Sequence, residues 1–269
     1  MNKQKLMSLV EKPIALLVAE SSSASRIRKL HTKHAVKPHF IPKKYRIFNG
    51  ILQSLNIQFG NYIERLVAEI FTFDKKYEAV LGYSGSNKRK FKISAKVNRL
   101  IDAHIDTMQV ASLDERGLEA AYADLIKKII NLREDDSEGV FELQHDIDLL
   151  IQEKTGVKYY FEIKYNDDHD TGKYIDINRK FIKTYAYLIR EFKISDPSQL
   201  RAYLSYFSKK KMKGNIYVPE KSSILRGDKL IEGFSSAKYS DLEEVFSEIS
   251  ENAETLAIFD KLYNQVVKS

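Results

Sequence analysis

The chain has no cysteine, which excludes a disulfide framework and any zinc site built on thiolates and fits a reducing compartment. Long apolar runs are missing too. The longest, Ile14 to Ala19, falls far short of the ~20 residues a spanning helix needs. The amino terminus carries lysines but lacks the apolar core and small-residue cleavage site of a signal peptide. The expected setting is the cytoplasm, with no membrane partner. No Walker-type or Rossmann-type glycine motif occurs, and no internal repeat, so nucleotide and dinucleotide chemistry lose their usual signatures. Acidic residues are absent from two long stretches. From Ser21 to Ile63 there is none, against Arg26, Arg28, Lys29, Lys33, Lys37, Lys43, Lys44 and Arg46. From Ala79 to Ile101 there is again none, against Lys88, Arg89, Lys90, Lys92, Lys96 and Arg99. Cations without balancing carboxylates suit a phosphate-contacting surface.

What is present describes a folded enzyme-sized chain. Its 269 residues are 43% apolar, enough for a full α/β core, and its net charge of +7 favours an anionic partner. The pattern predicts one domain over 1–269, with 1–50 a basic helical arm and 240–269 a C-terminal helical segment. Residues 2–20 read as an amphipathic helix, or two halves around Pro13, followed by a loop over Ser21–Ser25. Phe59, Ile63, Leu66, Val67, Ile70 and Phe71 keep a helical period over 57–73, with Gly60-Asn61 at its start. A second helix spans Leu113–Leu132, with Asp114 and Glu115 at its positive end. A third spans Asn178–Phe192 and leaves Arg179, Lys180 and Lys183 free to face a substrate. Arg201–Phe207 reads as a strand, with Asn215–Val218 as its partner across the basic turn Ser208–Gly214.

The informative stretch is 145–164, HDIDLLIQEKTGVKYYFEIK. Asp148 heads an apolar run, Leu149 to Ile151. Glu153-Lys154-Thr155-Gly156 is turn chemistry, with glycine available for a positive φ. Lys158 to Lys164 alternates, so Tyr160, Glu162 and Lys164 share one face of a strand and Tyr159, Phe161 and Ile163 the other. A hairpin would bring Asp148 to Glu162 and Lys164, uniting two carboxylates and an ammonium. Asp146 competes for the Asp148 role, although Asp148 directly heads the strand. Magnesium takes oxygen ligands from one or two carboxylates, waters and phosphate oxygens. A nearby lysine can orient water and neutralise charge developing on phosphorus.

At Ile147-Asp148, a gap of 13 residues, and Glu162-Ile163-Lys164, the sequence resembles the PD-(D/E)XK nuclease superfamily, with Ile147 where that name has proline. The order GN-x-x-E, HDIDLLI, YFEIK is similar to the TdeIII/HinfI-like group of type II restriction endonucleases. The resemblance implies a restriction-endonuclease-like core, a mixed central sheet flanked by helices. It implies Mg²⁺ held by Asp148, Glu162 and the backbone carbonyl of Ile163, with Lys164 positioning the attacking water and Glu64 assisting as an outer ligand. It also implies cleavage of double-stranded DNA at a short palindrome such as GANTC or GGNCC, leaving 5′-phosphates, by a homodimer. Lys88, Arg89, Lys90, Lys92, Lys173, Arg179, Lys183, Lys210 and Lys211 are the expected DNA contacts, with Arg226 suited to base edges. A structure-specific nuclease of the same superfamily and a non-catalytic DNA-binding protein are the alternatives.

Overall fold

A computed structural model describes residues 1–21, 23–35 and 38–267, and only the backbone at 12, 35, 86–89, 145 and 267. Lys37 lies outside the described residues, as do the side chains of Lys88 and Arg89. The chain opens with three helices, α1 (Lys3–Ser21), α2 (Ala24–Ala35) and α3 (Lys43–Phe73). Strands β1 (Tyr77–Ala79) and β2 (Gly85–Ser94) lead to helices α4 (Ala95–Val110) and α5 (Glu115–Leu132). Three strands follow, β3 (Val140–Ile147), β4 (Leu149–Glu153) and β5 (Lys158–Lys164). Helix α6 (Thr171–Glu191) then crosses to β6 (Leu200–Tyr206), and α7 (Glu220–Ser223) to β7 (Ile224–Arg226). The chain ends in α8 (Gly227–Phe234), α9 (Tyr239–Glu251) and α10 (Ala253–Val267). Among the described residues no helix is long and apolar enough to cross a membrane.

Two compact units emerge, Met1–Val67 with Ser236–Ser269, and Ala68–Ser235. The segments 1–50 and 240–269 set apart in the sequence both fall in the first. There α1 runs unbroken through Pro13. Proline lacks the N–H that would bond Leu9, and the Leu9 carbonyl accepts from the Tyr62 hydroxyl at 3.0 Å instead. Helix α3 begins at Lys43 rather than near Gly60, which sits mid-helix. Its other glycine, Gly50, answers a close approach, since a Cβ there would meet Leu30 Cδ2 at 2.9 Å. The expected loop at Ser21–Ser25 is shorter, because α2 already starts at Ala24.

The second unit is built on a mixed five-stranded sheet of order β1-β4-β5-β6-β7. The pairs β1–β4 and β4–β5 are antiparallel, while β5–β6 and β6–β7 are parallel. The hairpin β4–β5 is the one read from the sequence, with Leu149 opposite Phe161 and Gly156 at φ +92° in its turn. Helices α4, α5 and α6 bury one sheet face around Tyr160 and Phe181. Phe234 of α8 and Phe71, at the end of α3, cover Phe161 on the other. This is the α/β core with a helix-flanked mixed sheet that the resemblance implies. A separate two-stranded ribbon pairs β2 with β3. Asn215–Val218 is not a strand: the Asn215 side chain accepts from the N–H groups of Tyr217 and Val218, folding the segment on itself. The true neighbours of β6 are β5 and β7, reached by crossovers.

Candidate active site

Asp148 sits in the bend where the chain leaves the ribbon at Ile147 and enters the main sheet at Leu149. Antiparallel pairing then returns β5 beside it. The Ile163 N–H donates to Asp148 Oδ2 at 2.8 Å, locking the carboxylate to the strand that carries the other candidates. Because side chains alternate along β5, Glu162 and Lys164 point to the same side as Tyr160, whose hydroxyl donates to Glu162 Oε2 at 2.9 Å. Both carboxylates are buried, Glu162 completely.

The Lys164 ammonium lies 2.9 Å from Asp148 Oδ2, 2.8 Å from Glu162 Oε1 and 2.8 Å from the Ile163 carbonyl oxygen. Those are the three oxygens expected to hold a metal, and they converge on one cation. A hard-oxygen donor set of two carboxylates and a carbonyl suits an alkaline-earth ion completed by water and phosphate oxygens, and the ammonium marks where positive charge is stabilised. Within this unit, among the described residues, no third acidic or histidine side chain joins them. Asp146 is a half-buried residue of β3, and it is Asp148 that pairs with Lys164.

A second cation enters from α6. Lys180 Nζ lies 2.8 Å from Glu162 Oε1 and 3.6 Å from Asp148 Oδ1. The sequence grouped Lys180 with Arg179 and Lys183 as substrate-facing and did not connect it to the carboxylates. The available signal was the crossover itself: a helix that follows β5 to the parallel strand β6 must pack on β5. Electrostatics follow from this geometry. Burial raises the Asp148 carboxyl, and repulsion from Glu162 adds to that, against the pull of Lys164 and Lys180. Burial also works to raise Glu162, but Lys164 and Lys180 outweigh it and hold the carboxyl at about 2. Burial lowers the Lys164 and Lys180 ammonium groups, yet the two carboxylates raise both overall. Two carboxyl groups thus face two ammonium groups in one cluster.

The remaining expected residues divide by position. Glu64 is half-buried on α3, in the first unit. Lys90, Lys173 and Lys210 are exposed. Lys92 and Lys211 are exposed and pair with Glu142 and Glu220. Arg179 lies 3.2 Å from Asp102. Lys183 and Arg226 are also held by partners. Lys183 is 6% exposed, pairs with Asp102 at 2.8 Å and lies over the Phe141 ring, so α6 packing consumes it. Arg226 pairs with Glu220 at 2.7 Å and Asp167 at 2.9 Å, over the Tyr206 ring. Asp167, buried just past the active strand, also accepts from the N–H groups of Met212 and Lys213. Asp167 and Arg226 thus pin the basic turn after β6 to the loop after β5. Asp170 caps α6 by accepting from the Lys173 N–H at 2.9 Å.

The family described as "Type II restriction endonuclease, HinfI" matches residues 2–250. The chain is 41% identical over 264 residues to the type II restriction enzyme HinfI of Haemophilus influenzae, covering 98% of each sequence. No solved structure matches.

Proposed function

Since the chain belongs to the HinfI family of type II restriction endonucleases, and is therefore a site-specific deoxyribonuclease acting on double-stranded DNA, we propose that its reaction centre is the Asp148–Glu162–Lys164 cluster. Family membership favours sequence-specific cleavage over the structure-specific and non-catalytic alternatives. The observation that carries the assignment to these residues is the convergence of Asp148, Glu162 and the Ile163 carbonyl on one cation, 2.8 to 2.9 Å away.

Type II restriction enzymes work with a divalent metal, and Mg²⁺ is the ion this oxygen set fits best. Asp148, Glu162 and the Ile163 carbonyl would hold it. When bound, it supplies charge stabilisation at the phosphoryl oxygens and a lowered pKa for attacking water. The chain's own contribution is positioning. Buried Asp148 is fixed by the Ile163 N–H, and Glu162 by Tyr160. Lys164, on the same strand face, directs the water and balances charge gathering on the pentacovalent phosphorus. Water attacks phosphorus, the 3′ oxygen departs, and the phosphate stays on the 5′ end. Exposed Lys90, Lys173 and Lys210 would contact the DNA backbone, and the pinned turn would present Lys210 and Lys211 near the strand ends. A homodimer matched to a palindrome such as GANTC or GGNCC, working in the cytoplasm, completes the reading.

The test is a digest of long natural DNA with Mg²⁺, followed by sequencing of fragment ends. Discrete fragments with 5′-phosphates are expected from the wild type. Lys164→Ala should slow single-turnover cleavage by about 10²–10³-fold while sequence-specific binding persists. Cleavage by Lys164→Ala at the wild-type rate would move the reaction centre elsewhere.

A further inference from the structure

The four charged groups of the cluster are balanced as they stand. Asp148 and Glu162 supply two negative charges, and Lys164 and Lys180 supply two positive ones. The carboxylates are buried, at 5% and 0% side-chain exposure, so the pocket stabilises surplus charge poorly. A divalent ion entering this set brings two positive charges to a site already neutral. The scissile phosphate returns only one negative charge. With the metal, the phosphate and Lys164 all present, the carboxylates are balanced only if the other ammonium leaves.

Geometry distinguishes the two lysines. Lys164 makes three short contacts and sits on the strand it serves. Lys180 makes one short contact, to Glu162 Oε1, and one of 3.6 Å to Asp148 Oδ1. Its amine is borne on a flexible four-carbon stem from α6, with 29% of the side chain open to solvent. It has fewer bonds to lose and a route out. Glu162 Oε1 accepts from both lysines, so the departure of Lys180 frees a lone pair on an oxygen expected to ligate metal.

We propose that Lys180 is an exchangeable counter-ion, which holds Glu162 and Asp148 in place in the metal-free protein and competes with the divalent cation for them. It is a positioning residue. The idea rests on the reading of Asp148 and Glu162 as metal-holding groups, and it makes a prediction that runs against a merely structural role. If Lys180 only braced Glu162, removing it would weaken metal binding or leave it unchanged. If it competes with metal, removing it strengthens metal binding, because the competent state is no longer masked.

The experiment is a Mn²⁺ titration of the full-length, DNA-free protein, reading free Mn²⁺ by electron paramagnetic resonance. Lys180→Gln is expected to tighten Mn²⁺ binding by about tenfold, while Lys180→Arg, which keeps the charge, stays near the wild type. Glu162→Gln is expected to lose the binding in every background. A second measurement uses only the wild type: acetylation of Lys180 by an amine-reactive ester, followed by mass spectrometry, should speed up severalfold when Mn²⁺ is added. Weaker or unchanged Mn²⁺ affinity in Lys180→Gln, or an acetylation rate indifferent to Mn²⁺, overturns the counter-ion role while leaving the metal site standing. Mn²⁺ binding that survives Glu162→Gln unaltered overturns the metal site, and the counter-ion role falls with it.

Discussion

Along one side of β5, Tyr159 and Phe161 enter an aromatic cluster. Phe234 is 4.9 Å from Phe161 and 5.4 Å from Tyr159 between ring centroids, with Phe71 5.3 Å and Tyr203 5.7 Å from Phe161. Along the other, Tyr160, Glu162 and Lys164 join Asp148 and Lys180 in a buried set of charges and hydrogen bonds. Both sides are largely shielded, although Lys164 and Lys180 keep 23% and 29% of their side chains open to solvent, and they are held by different forces. Ring packing is short-ranged and insensitive to salt, pH or metal. The charged face stays buried only because each ion has a partner. One strand thus carries an anchor on one side and an adaptable polar centre on the other, so chemistry can change there without moving the scaffold.

If that division is real, the two faces fail in different assays. Glu162→Gln should lower single-turnover cleavage by about 10³-fold with the fold retained and DNA still bound. Phe161→Ala should cost about 3–5 kcal/mol in urea unfolding, since its ring is fully buried, while each molecule that remains folded cleaves at a near-normal rate. A Phe161→Ala enzyme that folds well but cleaves poorly would show that the faces are coupled.

Sequence patterning made this strand legible because alternation is a local rule. The glycine turn, the hairpin and the shared face of Glu162 and Lys164 could all be read within 20 residues. Strand β3 was less legible. Phe141, Leu143 and Ile147 do alternate with Glu142, Gln144 and Asp146, but only Ile147 of the three is fully buried and Phe141 stays exposed, so the apolar side is weakly marked. The start of α6 was hidden inside a polar run, where Asp170 serves as a cap rather than a solvent-facing acid. The pairing of Lys180 with the carboxylates is hidden from the sequence because its partners are supplied by tertiary packing, and nothing in NRKFIK distinguishes it from Arg179 or Lys183. Arg226 reads as a contact for base edges because it looks exposed until Asp167 and Glu220 are placed beside it.

Acid separates the faces in a further way. Lys164 and Lys180 hold the Glu162 carboxyl at about 2, below its ordinary 4.5, against the opposing effect of burial. A carboxyl depressed on folding contributes stability above its ordinary value and loses it as pH falls towards the folded one. Asp148 is raised by burial and acts in the opposite sense, so the Glu162 share is read by difference. Between about pH 4.5 and 2, wild-type stability should fall faster than that of Glu162→Gln. Parallel curves would mean that the lysines do not favour the charged carboxyl. Phe161→Ala should lower the whole curve without changing its slope, since no ionisable group is removed.

The smallest expected effect concerns the device that keeps the faces apart. Side chains on a strand repeat every two residues, so a slip of one residue between β4 and β5 would send Glu162 into the aromatic cluster and Phe161 among the charges. The turn at Glu153–Gly156 fixes the register, with Gly156 at φ +92° and its N–H donating to the Glu153 carbonyl at 2.8 Å. Nothing lies within 4 Å of a Cβ built at Gly156, so Gly156→Ala meets no steric obstacle and its cost is backbone strain alone, about 1–2 kcal/mol. That is far less than a slip would cost, because a slip would bury charges without partners. Gly156→Ala should therefore unfold at slightly lower urea concentration and cleave as the wild type does. A large loss of cleavage with the fold intact would mean that the register is held by this turn alone, and not by the mismatch between the two faces.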